Sequence, residues 1–226
     1  MRILLLGHGR MGRLVESLAP EYGGTIAGVI DEQSGERAIA DGQFGDVDIA
    51  IDFTLADAVP HNLPQLAARR INVVIGTTGW QRQEAAMRQT AREAGIGVLA
   101  AANFSLGVNV FQLAVEEASR HFAKHPEFGA WIHEAHHVTK KDAPSGTALT
   151  IKSGMERAGY QSPIDVSSAR AGSIPGTHTV GFDGPSETIE FTHTVRDRAV
   201  FARGALAAAK WLVGKQGWFS IRDLLA

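Results

Sequence analysis

Five short apolar runs, separated by polar stretches, occupy the first hundred residues of the chain. Their sequences are RILLLG, TIAGVID, VDIAIDFT, INVVIGTTG and GIGVLAAANF. Each run is nearly continuous in Ile, Val and Leu rather than alternating, which is typical of parallel strands covered on both faces. The pattern therefore predicts an α/β fold with a doubly wound parallel sheet.

The polar stretches between these runs differ in their helix signals. EAAMRQTAREAG predicts a helix that ends at Gly95, whereas the stretch after Asp57 carries Pro60 and Pro64 and predicts a poorer helix. Residues 107–124 have apolar side chains at helical spacing. A further helix, GALAAAKWLVG, is predicted to end at Gly214.

The pattern changes after residue 126, where alternation replaces continuous apolar runs. In SETIEFTHTV, apolar residues and a histidine alternate with threonine and glutamate, as in a half-exposed strand. FGAWIHEAHHV, IDVSSARA and GTHTVGF are further candidate strands. Residues 128–197 therefore predict a second, more open sheet, interrupted by one helix near 146–159.

The amino-acid composition excludes several kinds of functional site but does not identify the function. The 226 residues include no cysteine, which excludes disulfides, iron–sulfur clusters, thiolate zinc sites and cysteine nucleophiles. A formal charge of -2 gives no general attraction to nucleic acid or to membranes. The opening apolar run is too short for a signal peptide or a membrane span, so we expect a cytoplasmic protein.

The first apolar run leads directly into the string GHGRMG, a GxGxxG sequence that opens a predicted helix. The next run ends in an acidic residue about 20 positions later, as in dinucleotide-binding folds. This context predicts a Rossmann-type cofactor site, although an ordinary glycine-rich turn remains an alternative. The cofactor-binding residues predicted here are Gly7, Gly9, Arg10, Met11, Gly12 and Asp31.

Two adjacent carboxylates, Asp31 and Glu32, stand at the position that would meet the adenosine ribose. Asp31 would accept hydrogen bonds from ribose hydroxyls, and Glu32 would repel a 2′-phosphate. Arg10 and Arg37 keep NADPH possible. We therefore expect NADH to be preferred without being exclusive.

Residues 133–137 spell HEAHH, which contains the zinc-protease string HExxH. That string binds zinc only on a helix, because a strand would separate its two histidines by roughly 13 Å. The preceding FGAWI is typical of a strand, and DAPSG breaks any helix just after it. We therefore predict no metal site, with a metal-dependent hydrolase as a minor alternative.

The longer string EAHHVTKKDAPSGTA resembles the substrate signature of the bacterial dihydrodipicolinate reductases, also called 4-hydroxy-tetrahydrodipicolinate reductases. The resemblance extends to GHGRMG, DFT at 52–54, GTTG at 76–79, AANFSLGVN at 101–109 and FARGALAAAKWL near the end. It implies NAD(P)H-dependent reduction of a small dicarboxylate in diaminopimelate and lysine biosynthesis. It also implies a homotetramer.

The resemblance assigns roles to individual residues. His136 and Lys140 correspond to the family's proposed acid/base histidine and proton donor. The substrate-carboxylate contacts would be His137, Ser145, Gly146 and Thr147. The nicotinamide end of the cofactor site would be lined by Gly76, Thr78, Ala101 and Phe104.

The resemblance also implies two domains. Residues 1–103 and 198–226 would form the dinucleotide-binding domain. Residues 104–197 would form an α+β substrate-binding and oligomerisation domain with an open mixed sheet. The segment 31–46 is shorter than the family usually has, so a truncated crossover helix and a more open adenine side are expected.

The residue types in this string also favour dicarboxylate binding when the family resemblance is left aside. Two histidines and two lysines within six residues supply local positive charge for a dicarboxylate, and Pro144 precedes a predicted helix N-terminus that can bind a carboxylate. Three alternatives remain: another dehydrogenase on the same plan, a dinucleotide-sensing module without turnover, and a purely structural His136.

Overall fold

In the computed structural model, which describes residues 1–34 and 37–226, the chain divides into two units. The first comprises Met1–Leu106 and Ala199–Ala226, and the second comprises Gly107–Arg198. The units divide at 106/107 and 198/199, and the resemblance implies domain boundaries at 103/104 and 197/198.

A six-stranded sheet, parallel throughout, forms the centre of the first unit. Its strands are β1 (Arg2–Leu6), β2 (Thr25–Ile30), β3 (Ile49–Asp52), β4 (Asn72–Ile75), β5 (Gly97–Ala100) and β10 (Gly217–Phe219). Across the sheet they follow the order β10-β5-β4-β3-β1-β2. The strand order therefore reverses between β1 and β3: β2 lies on one side of β1, and the strands from β3 onward lie on the other. Ligands of open α/β sheets bind at such a topological switch point.

Helices cover both faces of this sheet. They are α1 (Arg10–Leu18), α2 (Ala38–Asp41), α3 (Val59–Ala68), α4 (Glu84–Ala94), α7 (Ala199–Leu212) and α8 (Ile221–Leu225). Alternate residues of β1 enter two separate cores: Ile3 and Leu5 pack with α1 and α7, whereas Leu4 and Leu6 pack with α3 and α4. Burial on both faces explains why the strand sequences are continuous apolar runs. The doubly wound parallel sheet is thus confirmed.

The stretch after Asp57 forms a better helix than the sequence predicts, because α3 spans ten residues. Pro60 lies in the first turn, where a missing backbone N–H costs little. Leu63 and Leu66 are buried against the sheet, so packing offsets the effect of Pro64 within the helix.

The end of the chain adds two elements that the sequence pattern did not predict. The strand β10 is only three residues long and pairs with β5 at the edge of the sheet. The helix α8 follows at once, and its N-terminus is closed by reciprocal hydrogen bonds between Ser220 and Asp223.

The second unit contains a four-stranded mixed sheet, as predicted. Its strands are β6 (Gly129–His136), β7 (Ile164–Arg170), β8 (Thr177–Asp183) and β9 (Thr188–Thr194), in the order β7-β6-β8-β9. Strands β6 and β7 are parallel, and the other two pairs are antiparallel. The helices α5 (Leu106–Phe122) and α6 (Gly146–Arg157) supply the rest of its core.

The two faces of this second sheet differ in chemistry. One face carries Ile132, Val180 and Phe182 into the core with α5 and α6. The opposite face is rich in threonine, where Thr177 pairs with Thr194 and Thr179 with Thr192 through their hydroxyls. Within the described residues, no helix is long and apolar enough to cross a membrane.

Candidate active site

The glycine-rich turn lies at the carboxyl end of β1, immediately before α1. Gly7 has a φ of +86°, and a Cβ there would lie 2.6 Å from the carbonyl oxygen of Phe53 at the end of β3. A Cβ on Gly12 would lie 2.1 Å from the carbonyl oxygen of Gly7. Glycine is therefore required at both positions, for the backbone conformation and for close packing of helix on strand.

Gly9 serves a different purpose, because nothing lies within 4 Å of a Cβ placed there. The space in front of the α1 N-terminus is thus open, where helix N–H groups favour an anion. Arg10 and Met11 form the first turn of α1.

A cleft of about 960 Å³ opens at the ends of β1, β2 and β3, next to this turn. Its walls include Gly7, Gly9 and Asp31. The Asp31 carboxylate is oriented by hydrogen bonds from the Ser34 hydroxyl (2.9 Å) and the Gln33 backbone N–H (3.0 Å), which hold its pKa below the usual range. An ionised acceptor therefore stands where a ribose would be recognised.

Two further charged residues, Glu32 and Arg37, line the same cleft. The Arg37 guanidinium donates to both carboxylate oxygens of Asp41, at 3.0 and 3.2 Å. Arg37 immediately precedes α2, and Asp41 is the last of the four residues of that short helix.

The predicted nicotinamide-side residues lie at the ends of β4 and β5, but they differ in exposure. Thr78 is exposed, and Ala101 lines a smaller cavity of about 400 Å³ together with Trp80 and Trp218. Phe104 is buried in the core, where its ring meets that of Phe53 edge-on. Phe104 thus supports this wall from within.

Gly76 belongs to the same wall, and a Cβ there would lie 2.1 Å from the Phe53 ring. Asp52, which the sequence analysis did not single out, is hydrogen-bonded to the loop that follows β3 and to the loop that follows β4. Its carboxylate accepts hydrogen bonds from Thr54 (2.6 Å), Asn62 (3.0 Å) and Thr77 (3.3 Å). Burial raises the pKa of Asp52, and these hydrogen bonds oppose the shift.

In the second unit, β6 directs alternate side chains of the HEAHH string to opposite faces of the sheet. Glu134 and His136 point inward and are buried, whereas His133 is exposed and bonds to the Ser167 hydroxyl. The prediction that this string lies on a strand is confirmed, so His133 and His137 do not have the helical spacing that zinc requires.

The buried Glu134 carboxylate is the centre of a polar network. Arg170 of β7 donates to both of its oxygens, at 2.7 and 3.0 Å. The Ser145 backbone N–H donates to Oε1 at 3.2 Å, and His136 Nδ1 hydrogen-bonds to Oε2. Burial alone would raise the pKa of Glu134, but hydrogen bonds from Arg170, Ser168 and His136 lower it to about 2. Glu134 is thus an anion at neutral pH.

His178, which the sequence analysis did not single out, also belongs to this network. It is buried on β8, its Nε2 lies 3.1 Å from the Ser145 hydroxyl, and its ring meets His136 edge-on at 5.2 Å. Burial lowers the pKa of His178 to about 4, so its imidazole is neutral at pH 7. The alternation of His178 with buried Val180 and Phe182 was the available signal.

The rest of the signature forms the loop between β6 and α6. The Lys140 ammonium donates to both oxygens of Asp142, at 2.7 and 2.9 Å. His137 bonds through Nδ1 to the Thr139 hydroxyl at 2.7 Å.

The helix α6 begins directly after Ser145, whose side chain accepts a hydrogen bond from the Ala148 N–H at 3.2 Å. Nothing lies within 4 Å of a Cβ placed on Gly146, and its backbone N–H donates to Asp142 at 3.4 Å, a long contact that a substrate carboxylate could replace. Thr147 follows on the first turn and is partly exposed. The structure thus brings all six predicted catalytic and substrate-binding residues to one end of α6.

Glu134, His136 and His178 also come within 4.8 Å of one another, a spacing that a metal ion could use. Both Glu134 oxygens, however, already accept from the Arg170 guanidinium, so a cation would lie against a positive charge. The donor set fits a hydrogen-bond network better than a metal centre.

Comparison with known proteins agrees with both units. The model of the N-terminus of dihydrodipicolinate reductase matches residues 1–104, and that of its C-terminus matches residues 107–225. A 4-hydroxy-tetrahydrodipicolinate reductase from Xanthomonas euvesicatoria is 41% identical over 239 residues, covering 100% of this chain and 98% of the relative. One from Christiangramia forsetii is 34% identical over 237 residues, with the same coverage.

Solved structures agree with the fold. A dipicolinate-bound dihydrodipicolinate reductase from a Paenisporosarcina species superposes with a TM-score of 0.82 at 19% identity, covering 97% of each chain. An NAD⁺-bound oxidoreductase from Agrobacterium radiobacter gives 0.62 at 14% identity, covering 100% of this chain and 92% of the other. Since the family models and full-length relatives account for nearly every residue, the chain belongs to the dihydrodipicolinate reductase family.

Proposed function

We propose that this chain catalyses the NAD(P)H-dependent reduction of 4-hydroxy-tetrahydrodipicolinate to tetrahydrodipicolinate in diaminopimelate and lysine biosynthesis. Family membership supports the reaction. The observation that carries it in this structure is the meeting of His136, Lys140 and the α6 N-terminus at one place, because a dicarboxylate needs both cations and oriented N–H donors.

The glycine turn and Asp31 would hold the cofactor, Gly7, Gly9 and Gly12 at the pyrophosphate and Asp31 at the adenosine ribose. Open space at Gly9 and an oriented, exposed Asp31 carboxylate in the cleft support this assignment. When bound, the reduced nicotinamide supplies a hydride. Gly76, Thr78 and Ala101 would line its site, with Phe104 behind them.

The residues of the signature would bind and protonate the substrate. Gly146 and Thr147 would bind a carboxylate at the α6 N-terminus, with His137 beside them. Ser145 would position this N-terminus, because its N–H donates to Glu134 and its hydroxyl bonds to the Ala148 N–H and to His178. His136 Nε2 or the Lys140 ammonium would deliver the proton that neutralises negative charge developing on the reduced ring. Asp142 supports Lys140 in this role by keeping its ammonium in place.

The NADH preference is supported by charge around the ribose site. Glu32 lines the cleft and would repel a 2′-phosphate, whereas Arg13 and Arg37, which line the same cleft, keep NADPH usable. We expect kcat/KM for NADH to equal or exceed that for NADPH, and Glu32→Arg to shift the ratio toward NADPH. Steady-state kinetics with both cofactors checks this, and an NADPH preference above about tenfold in the parent would contradict it.

The homotetramer rests on the family resemblance, and the threonine-rich face of the second sheet is the surface that we propose it would cover. The cytoplasmic location stays a prediction.

The function is tested by following the loss of NADH absorbance with enzymatically generated substrate. Activity that depends on both substrate and chain supports the proposal. NADH binding by calorimetry without any turnover would instead favour the dinucleotide-sensing alternative. Turnover of unrelated hydroxy acids, with none of this substrate, would favour another dehydrogenase.

A further inference from the structure

The Glu134 carboxylate is buried more completely than either of its charged partners. Its side chain has no exposed surface, whereas that of His136 is 10% exposed and that of Arg170 is 18% exposed. Burying a carboxylate is costly unless donors surround it. Here the donors come from three elements: Arg170 on β7, the Ser145 N–H at the start of α6, and His136 on β6 itself.

This arrangement fixes the proton on one nitrogen of the His136 ring. Glu134 is ionised because Arg170 donates to both of its oxygens, and an ionised carboxylate only accepts hydrogen bonds. The Nδ1 atom facing it must therefore carry the proton. Only Nε2 is then left to gain or lose a proton.

The surroundings of Nε2 agree with that assignment. A Cβ on Gly176, the residue just before β8, would lie 3.1 Å from Nε2. The absence of a side chain there leaves this edge of the ring unobstructed.

We propose that Glu134 is a positioning residue for His136, whose ionised carboxylate holds the Nδ1–H tautomer and reserves Nε2 for proton transfer. This inference rests on the proposed function, because it takes His136 as an acid/base group. Glu134 itself touches neither substrate nor cofactor in this role.

The charges that face His136 indicate how the loss of Glu134 would change its chemistry. They are Glu134 on its own strand, Arg170 on β7, His178 on β8 and Lys140 in the loop after β6. Burial, Lys140 and Arg170 lower the pKa of His136, and the hydrogen bond and charge of Glu134 oppose them. Removing the carboxylate should therefore lower the pKa of His136 further.

The first test uses the parent chain and needs no activity. Long-range ¹H–¹⁵N NMR of ¹⁵N-histidine-labelled protein, with His136 assigned by comparison with His136→Asn, reports which ring nitrogen carries the proton. We expect the neutral ring to be protonated at Nδ1. A neutral ring protonated at Nε2 would overturn the proposal, whether or not the chain proves to be a reductase.

The second test uses Glu134→Gln, which keeps the shape and removes the charge. We expect kcat to fall about 10- to 100-fold, the His136 pKa measured by NMR to fall, and the decline of kcat/KM with rising pH to begin at lower pH. Glu127→Gln is the matched control, because Glu127 pairs with His125 two residues away on the exposed surface. It should leave all three quantities unchanged.

Glu134→Gln leaves the Arg170 guanidinium without its counter-charge, which can prevent folding. In that case the first test decides the proposal, because it uses the parent chain and needs no substitution at Glu134. A folded variant that loses activity with no change in His136 pKa would show that Glu134 is only structural. An inactive parent with the expected tautomer and pKa shift would contradict the proposed function while supporting the positioning.

Discussion

Lys140 and Lys141 are adjacent, but their side chains differ in their contacts and in their exposure. Lys140 is held by both oxygens of Asp142, and its side chain is partly buried, whereas Lys141 is exposed. An ammonium that must deliver a proton benefits from such a fixed position, because proton transfer needs hydrogen-bond contact with the reacting atom.

We therefore predict that Lys140→Ala lowers kcat by about 10²–10⁴-fold, since the variant removes a proton donor of the transition state. Lys141→Ala is the matched control and should keep kcat within about threefold of the parent. Steady-state kinetics at saturating NADH measures both. Equal effects of the two variants would mean that the ammonium groups act only through local charge.

For individual residues, the sequence predicts which residue types take part in the site but not which other residues they contact. In the sequence, His136 and Lys140 stand out because they belong to a short run of basic side chains. PSGT stands out because it precedes a predicted helix. The partners Arg170 and His178 come from strands more than 30 residues away, so only the sheet register brings them to Glu134. Asp52 is missed for a related reason, since its three partners come from separate loops and a helix.

Whether the HEAHH string binds a metal ion or forms part of a hydrogen-bond network depends on its secondary structure. On a helix, His133 and His137 would face one metal ion, but β6 places His133 on the threonine-rich face and His136 in the core. The strand sequence FGAWI and the break at DAPSG predict this from the sequence. Short elements are harder to predict, because β10 and α2 have only three and four residues and depend on their neighbours.

We accordingly predict that the enzyme needs no metal. Protein purified without added metal should contain no stoichiometric zinc, and a chelator should leave NADH oxidation unchanged. His133→Ala should retain activity, because that side chain is exposed on the sheet face opposite His136 and bonds to Ser167 there. Activity lost to a chelator and restored by zinc would contradict the assignment of Glu134, His136 and His178 to a hydrogen-bond network.

For the whole molecule, the exposed face of the second sheet leads to a prediction of assembly. Its side chains include Trp131, which covers Gly181, and the threonine pairs of β8 and β9. We expect light scattering at micromolar concentration to give four times the chain mass of 24.1 kDa. Thr179→Arg, in the middle of this face, should reduce the mass by charge repulsion, whereas Thr90→Arg on α4 of the other unit should not. A monomeric parent would rule out the homotetramer.

Stability toward acid should depend on the buried network of the second unit. The pKa of His178 is lowered by burial from 6.5 to about 4 in the folded chain, with His136, Glu134, His193 and Lys140 contributing charge around it. As the pH falls below 6.5, the unfolded chain takes up a proton that the folded chain does not. Stability is therefore fully present above pH 6.5 and declines down to about pH 4. Glu134, with a pKa lowered from 4.5 to about 2, continues the loss below pH 4.5.

The contribution of His178 is separable with His178→Gln, which keeps a donor for the Ser145 hydroxyl but does not titrate. A shift of this size corresponds to on the order of 3 kcal/mol between pH 7 and pH 4. Urea unfolding of the parent at fixed protein concentration should show that decline, and His178→Gln should show a distinctly smaller one. His121→Gln, on the exposed surface of α5, should follow the parent. If the parent and His178→Gln lose the same free energy of unfolding over this range, His178 is not the group that limits acid stability.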